Sequence, residues 1–410
     1  MERRSVSEII EQYQPLIRKY ENDENLVILD AREEPGTKAG ENYMSIVLRT
    51  KIIGRRGNGS PYKKSFMRKM LLCNMQLAKI TRNSNLFRIE SYFYEKLLPL
   101  LGPFGPDCIL AQPREIIMED LGDRDFSICE RRKLLDLEHC SAVVQTLASM
   151  HASSLHLKLS SPDRFAELVA PLCENIFPTD TEESIGSFFE SGVDFALKSL
   201  ESIEPRTGRV ERAIEFLRSY QDKVAESMRQ LLRPRPEDEQ RFWVITHGDT
   251  WNNNIMFLHD AEGKVVRVKF VDFQVARHSS PAFDFTYFLY SSARSEVLER
   301  DTDELIGTYE RFLLHDLRRL DAPERDLGAL ARPGWFKDEL RRNGLFGLFG
   351  ALMVLQVIFI DEGRAVELEM NKTKDEFNTE KLYDLTPEKT ERLFTVVDHY
   401  VRHFKNDASS

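Results

Sequence analysis

Three side chains in the run His247-Gly248-Asp249-Thr250-Trp251-Asn252-Asn253-Asn254 and in Val271-Asp272-Phe273-Gln274 stand where chemistry on a phosphate would need them. In phosphoryl transfer a protein mainly positions groups and neutralises charge, so one carboxylate meets the acceptor hydroxyl while an Asp and an Asn hold Mg²⁺ against the phosphates. Asp249 suits the first task, orienting the hydroxyl and taking its proton. Asn254 stands at the Asp-x-x-x-x-Asn spacing of a metal-binding amide, and Asp272 would bridge metal and nucleotide. Both metal candidates supply oxygen, the donor a hard cation takes. Taken singly, an Asp or Asn in a loop most often caps a turn. The joint occurrence with His247-Gly248 upstream and an Asp-Phe pair downstream is what favours catalysis. Asn253 remains open as a supporting partner, because a triple Asn leaves the register resting on spacing.

The elements that must position these residues are short. Residues 242–245 form an apolar run suited to a buried strand, and residues 255–258 form another that ends in a turn at 259–263. Val265, Arg267, Lys269 and Val271 then alternate with Val266, Val268 and Phe270. The chain therefore returns as a second strand and brings Asp272 back beside Asn254.

The motif His-Gly-Asp-x-Trp-x-Asn-Asn-x-Met-Phe, then Val-Asp-Phe-Gln, then Ser279-Ser280-Pro281-Ala282-Phe283-Asp284-Phe285, resembles the ecdysteroid kinase-like (CHK kinase-like) family of insects. That family is similar in fold to choline and aminoglycoside kinases. Trp251 and the Asp-Phe-Gln triplet separate the chain from protein kinases, which carry His-Arg-Asp and Asp-Phe-Gly at the matching places. The resemblance implies an α+β, bilobal protein kinase-like fold: a small N-lobe with an antiparallel sheet plus helix, and a large, mainly helical C-lobe. It also implies ATP and Mg²⁺ as cofactors, and Asp284 as a brace for the catalytic loop.

Upstream, residues 36–45 are similar to the family's nucleotide-covering loop, with Gly40, Asn42 and Ser45 as the contacts. Glycine lets backbone approach phosphate oxygens, and Ser45 and successive N–H groups can donate to them. Residues 44–53 and 64–72 read as strands joined through 54–61, where Asn58-Gly59 marks a tight reversal. The family pattern puts the phosphate-binding lysine at Lys69. Arg68 beside it leaves a one-residue ambiguity, and period-2 geometry turns one of the two to the opposite face. Residues 85–101 read as a helix that Pro99 bends or ends. By composition Glu90 on it is a solvated glutamate, whereas the resemblance makes it the partner of Lys69. Residues 116–121 resemble the linker between lobes, with Glu119 and Leu121 at the adenine, although an apolar strand entering an acidic turn is also an ordinary surface connection. The expected division is 1–118 for the N-lobe and 119–410 for the C-lobe.

Residues 134–155 read as a long helix with a buried stripe on which His151 is structural, since a lone His on an apolar face is usually a satisfied core residue. Residues 345–360 are too few, and too closely flanked by charge, for a membrane span of about 20 apolar residues, and suit a buried helix beside the acceptor. Residues 160–239 are acidic, helical and punctuated by proline, the kind of insertion that sets acceptor specificity in small-molecule kinases of this fold. Phe177, Phe188, Phe189, Phe195, Phe346 and Phe349 could line an apolar acceptor pocket, though aromatics in helices more often form core.

A net charge of −10 argues against a general nucleic-acid footprint, which needs a basic surface. The five cysteines are odd in number and lack Cys-x-x-Cys spacing, so neither a disulfide framework nor a zinc site is favoured. The opening residues lack the apolar core of a secretory signal, which gives the expectation of a cytoplasmic protein with no membrane partner. The expected function is an ATP-dependent kinase for the hydroxyl of an ecdysteroid or a similar steroid-like or xenobiotic alcohol. A choline/ethanolamine-type kinase, a nucleotide-binding pseudokinase and a metal-dependent hydrolase are the other readings.

Overall fold

The computed structural model describes residues 4–37, 45–71, 82–178, 186–233, 235–236, 240–360 and 384–405. The chain opens on helix α1 (Val6–Glu21), started by a capping box in which Ser5 and Glu8 satisfy each other's backbone N–H. Its Ile9, Tyr13 and Ile17 recur at helical spacing and form one buried face. They pack on one side of a five-stranded antiparallel sheet, against Ile52, Tyr62, Phe66 and Ile117.

The strands are β1 (Val27–Pro35), β2 (Ser45–Arg55), β3 (Pro61–Leu71), β4 (Cys108–Gln112) and β5 (Glu115–Glu119), ordered β1-β2-β3-β5-β4. β2 and β3 stay paired out to Arg55 opposite Pro61, beyond the apolar stretch that marks them in the sequence. The turn explains this extension. Gly59 takes a positive φ of 86° and returns its N–H to Arg56 at 2.8 Å, a tight reversal that holds the polar strand ends in register.

Helix α2 (Asn83–Tyr92) leads through a wider π turn (Phe93–Leu97) into a last turn, Leu98–Leu101. The helix expected over residues 85–101 starts at Asn83 and is interrupted by this π turn ahead of Pro99. Pro99 would drive its ring into the carbonyl four residues back, and a π turn ahead of it relieves that clash.

The C-terminal part is mainly helical. Helices α3 (Leu137–Ser160), α4 (Pro162–Val169), α5 (Gly186–Glu201), α6 (Gly208–Tyr220) and α7 (Val224–Leu232) precede the short strands of the site. Those strands are β6 (Val244–Thr246), β7 (Ile255–His259), β8 (Val265–Phe270) and β9 (Arg277–Ser279). Helices α8 (Ala282–Ser292), α9 (Ser295–Arg319), α10 (Trp335–Asn343), α11 (Leu345–Ile358) and α12 (Pro387–His403) follow. The stripe read over 134–155 begins later and ends later, because Asp136 caps the helix by accepting the His139 N–H. Every residue of α8 is buried, and the apolar α11 lies along it as a core helix. Among the described residues no helix is long and apolar enough to cross a membrane.

Candidate active site

The loop after β6 is shaped by a buried carboxylate. Asp284, on the first turn of α8, accepts the N–H groups of His247 and Gly248, each at 2.7 Å. His151 on α3 approaches the same carboxylate at 3.1 Å and turns its other ring nitrogen to the Tyr309 hydroxyl at 2.9 Å. Burial pushes the Asp284 carboxyl up, but His151 and the donated N–H groups outweigh it and hold the pKa below the usual value. His151 thus has both ring nitrogens engaged in the core, and Asp284 braces the loop. Gly248 has a φ of 86°, and a Cβ there would lie 2.2 Å from the Val275 carbonyl oxygen.

The turn that follows brings Asp249 and Asn254 together. The Asn254 side-chain N–H donates to Asp249 Oδ2 at 2.8 Å and to its backbone carbonyl at 2.9 Å. The other carboxylate oxygen accepts the Tyr287 hydroxyl at 2.8 Å. Burial, and secondarily the negative charge of Asp272, push Asp249 up to about 7. A carboxyl with that pKa can both hold and release a proton near neutrality.

β7 and β8 pair with Ile255 opposite Phe270, and at the root of this hairpin the Val271 N–H donates to the Asn254 carbonyl at 3.0 Å. His247 Nε2 meets the Val271 carbonyl oxygen at 3.0 Å. Asp272, the next residue after Val271, then takes a φ of 69°, a left-handed conformation. Phe273 is buried, stacks on Phe93 with centroids 4.1 Å apart, and lies 4.7 Å from the His247 ring. The Asp-Phe pair is thereby anchored to the helical segment that continues from Glu90.

Lys69 reaches into this corner from the middle of the sheet. Its ammonium lies 2.7 Å from Glu90 Oε2 and 2.9 Å from Asp272 Oδ1. Burial alone would pull the lysine pKa down, but the two carboxylates outweigh it and leave it raised, so the ammonium stays charged. Burial pushes Glu90 up against the opposing pull of Lys69. Strand geometry separates the two neighbouring basic residues: Arg68 faces the other side of the sheet from Lys69, where its guanidinium meets Glu115 and Glu33.

Ser45 is buried at the start of β2, opposite Leu71, while Gly40 and Asn42 lie outside the described residues. Glu119 turns inward: its N–H donates to the Asp107 carbonyl at 2.8 Å, and its carboxylate accepts from Asp107 N–H at 3.1 Å and Arg124 at 3.3 Å. Leu121 follows, opening a short turn through Arg124 that Asp120 caps. Phe177, Phe189, Phe195, Phe346 and Phe349 are buried core residues and Phe188 is half-buried; Phe283 and Phe346 stack with centroids 4.3 Å apart.

Two residues escaped the reading of the sequence. Lys269 is buried, donates to the Gly105 carbonyl at 2.6 Å and lies 3.6 Å from Glu119, tying the hairpin to the strand that leads out of the sheet. Its position in an alternating strand carried no signal of that partner. Tyr287 carried one, since it stands three residues after Asp284 on a helix and so shares its face.

The donor set suits Mg²⁺. Asn254 commits its amide nitrogen to Asp249, which leaves the amide oxygen as the atom for a metal, and Asp272 adds a partly exposed carboxylate. One or two protein oxygens completed by phosphates and water are what this ion usually takes.

The ecdysteroid kinase-like family matches residues 39–322 of the chain. No curated protein matches it. Among solved structures, an ethanolamine kinase from Plasmodium vivax is similar with a TM-score of 0.38 and 12% identity, over 85% of this chain and 80% of that one.

Proposed function

The chain belongs to the ecdysteroid kinase-like family, and from that membership we propose that it transfers the γ-phosphoryl group of ATP to a hydroxyl of an ecdysteroid or a similar steroid-like or xenobiotic alcohol. The family is one of kinases acting on small-molecule alcohols, with ATP and Mg²⁺ as its general cofactors. The observation that carries the reading is the convergence of Lys69, Glu90 and Asp272 next to the turn that pairs Asp249 with Asn254.

In this reading Asp249 orients the acceptor hydroxyl and accepts its proton as the new O–P bond forms and the bond from the γ-phosphorus to the β–γ bridging oxygen breaks, releasing ADP. Lys69, fixed by Glu90, neutralises phosphate oxygens, and Asp272 and Asn254 would hold Mg²⁺. When bound, that ion supplies positive charge against the phosphates. Gly40, Asn42 and Ser45 would contact phosphate oxygens of the nucleotide, and Glu119 and Leu121, at the boundary between residues 1–118 and 119–410, would flank the adenine. A cytoplasmic location, with a small-molecule alcohol and neither nucleic acid nor membrane as partner, belongs to the same reading.

The test is to incubate the purified protein with Mg²⁺-ATP and a panel of ecdysteroids, other sterols, phenolic alcohols, choline and ethanolamine, with Asp249→Ala as control. A phosphorylated product detected by mass spectrometry only with the intact protein supports the kinase and names its acceptor. Phosphorylation of choline or ethanolamine alone would replace the steroid reading. Equal product from Asp249→Ala would remove the role given to that residue, and ATP binding with no product from any acceptor would favour a binding protein.

A further inference from the structure

The Asp249 carboxylate is gripped from two sides, by Asn254 on Oδ2 and by Tyr287 on Oδ1, each at 2.8 Å, with the Trp251 side chain as a further donor. The first grip comes with the loop itself. The second comes from α8, and only the packing of helices delivers it. One donor on each oxygen fixes the plane of a carboxylate about its terminal torsion, which is otherwise soft.

The depth of Tyr287 is set from behind by α11. A Cβ at Gly347 would lie 2.3 Å from the Tyr287 backbone nitrogen, and one at Gly350 would lie 2.7 Å from the ring atoms Cδ2 and Cε2. Two positions without side chains, three apart on one helix, let α11 approach α8 closely and leave a slot that the tyrosine ring fills. The ring is buried, a task phenylalanine would perform as well. The hydroxyl is what distinguishes tyrosine there, and it points at Asp249.

We propose that Tyr287 is a positioning residue for phosphoryl transfer, aiming the Asp249 carboxylate at the acceptor hydroxyl, and that Gly350 sets where Tyr287 stands. This inference rests on the kinase reading above. Tyr287 touches neither reactant; it acts through Asp249, so its loss should slow turnover and leave nucleotide binding alone. Burial, and then the neighbouring carboxylate, raise the phenol well above its ordinary pKa, so it stays a donor.

The experiment compares full-length Tyr287→Phe, Gly350→Ala and the double variant with the intact protein in Mg²⁺-ATP. Transfer is measured to whichever alcohol the intact protein phosphorylates, and to water as phosphate release. Loss of a hydrogen bond to a charged group predicts that Tyr287→Phe lowers kcat by about 10- to 100-fold. The KM for ATP should stay within about twofold, as expected when an interaction made in the transition state is removed. Because Gly350→Ala displaces the same hydroxyl, it should lower kcat alone but add little to Tyr287→Phe. Undiminished kcat in Tyr287→Phe, an equal rise in the KM for ATP, or multiplicative losses in the double variant would overturn the inference while leaving the kinase reading in place. If Gly350→Ala does not fold, Tyr287→Phe decides alone. No transfer by the intact protein to any alcohol or to water would overturn the kinase reading and this inference with it.

Discussion

Lys69 Nζ lies 2.9 Å from Asp272 Oδ1, an ion pair between residues 203 positions apart in the chain. One partner comes from the central strand of the sheet and the other from the end of the C-terminal hairpin. The contact therefore exists only when the two parts are docked, and Glu90 shares the same ammonium.

Replacing Lys69 by Met should affect both activity and stability. The variant leaves Glu90 buried without its cation and Asp272 without its neighbour. Breaking a buried pair from one side typically costs about 3 kcal/mol, reduced where the remaining carboxyl can take up a proton. Denaturant unfolding should show that loss. Steady-state kinetics should show a higher KM for ATP together with a lower kcat, and unaltered kinetics would remove the assigned contact with phosphate.

Gly248→Ala tests the geometry of the loop. The position has a φ of 86°, and the added methyl would meet the Val275 carbonyl at 2.2 Å, a contact with backbone that cannot rotate away. A left-handed conformation and a displaced carbonyl together should lower stability by about 1–3 kcal/mol. The two N–H bonds to Asp284 should loosen with it, so turnover should fall beyond what the unfolded fraction explains. Thermal unfolding and kinetics on the same preparation separate the two effects.

Stability should also respond to acid through His399. Its ring is buried between the Tyr290 hydroxyl at 3.1 Å and Thr302 at 3.2 Å. Burial, then the nearby His403 and Arg402, depress its pKa from 6.5 to about 3. The unfolded chain binds this proton more readily than the folded one. The stabilising preference for the neutral ring is thus complete above pH 6.5 and is lost progressively as the pH falls from there toward 3. His278, held down to about 4 chiefly by burial, acts in the same direction. Denaturation midpoints between pH 7.5 and 5 should decline, and His399→Gln should flatten that decline. An identical slope in the variant would exclude His399 as a source.

The local geometry of the loop carrying Asp249 and Asn254 was legible in the linear sequence because its parts are near neighbours. Asp249 and Asn254 meet within one turn, and an alternating hairpin returns Asp272 to them, so residue type, spacing and strand period were enough. The same local logic gave the strand carrying Lys69, the helix carrying Glu90, and the apolar helix α11 as core. Tertiary structure decided what depends on which surfaces face each other. It turned Lys69 inward and Arg68 outward by stacking α1 on the far side of the sheet, and it gave Glu119 to Asp107 and Arg124. It also buried Phe177, Phe189, Phe195, Phe346 and Phe349 in the core and brought Tyr287 to Asp249. Periodicity tells which side of a strand or helix a residue occupies. It cannot tell what will be packed against that side, because the approach of two helices is set by atoms missing from one of them, as at Gly347 and Gly350, and by contacts between residues far apart in the chain.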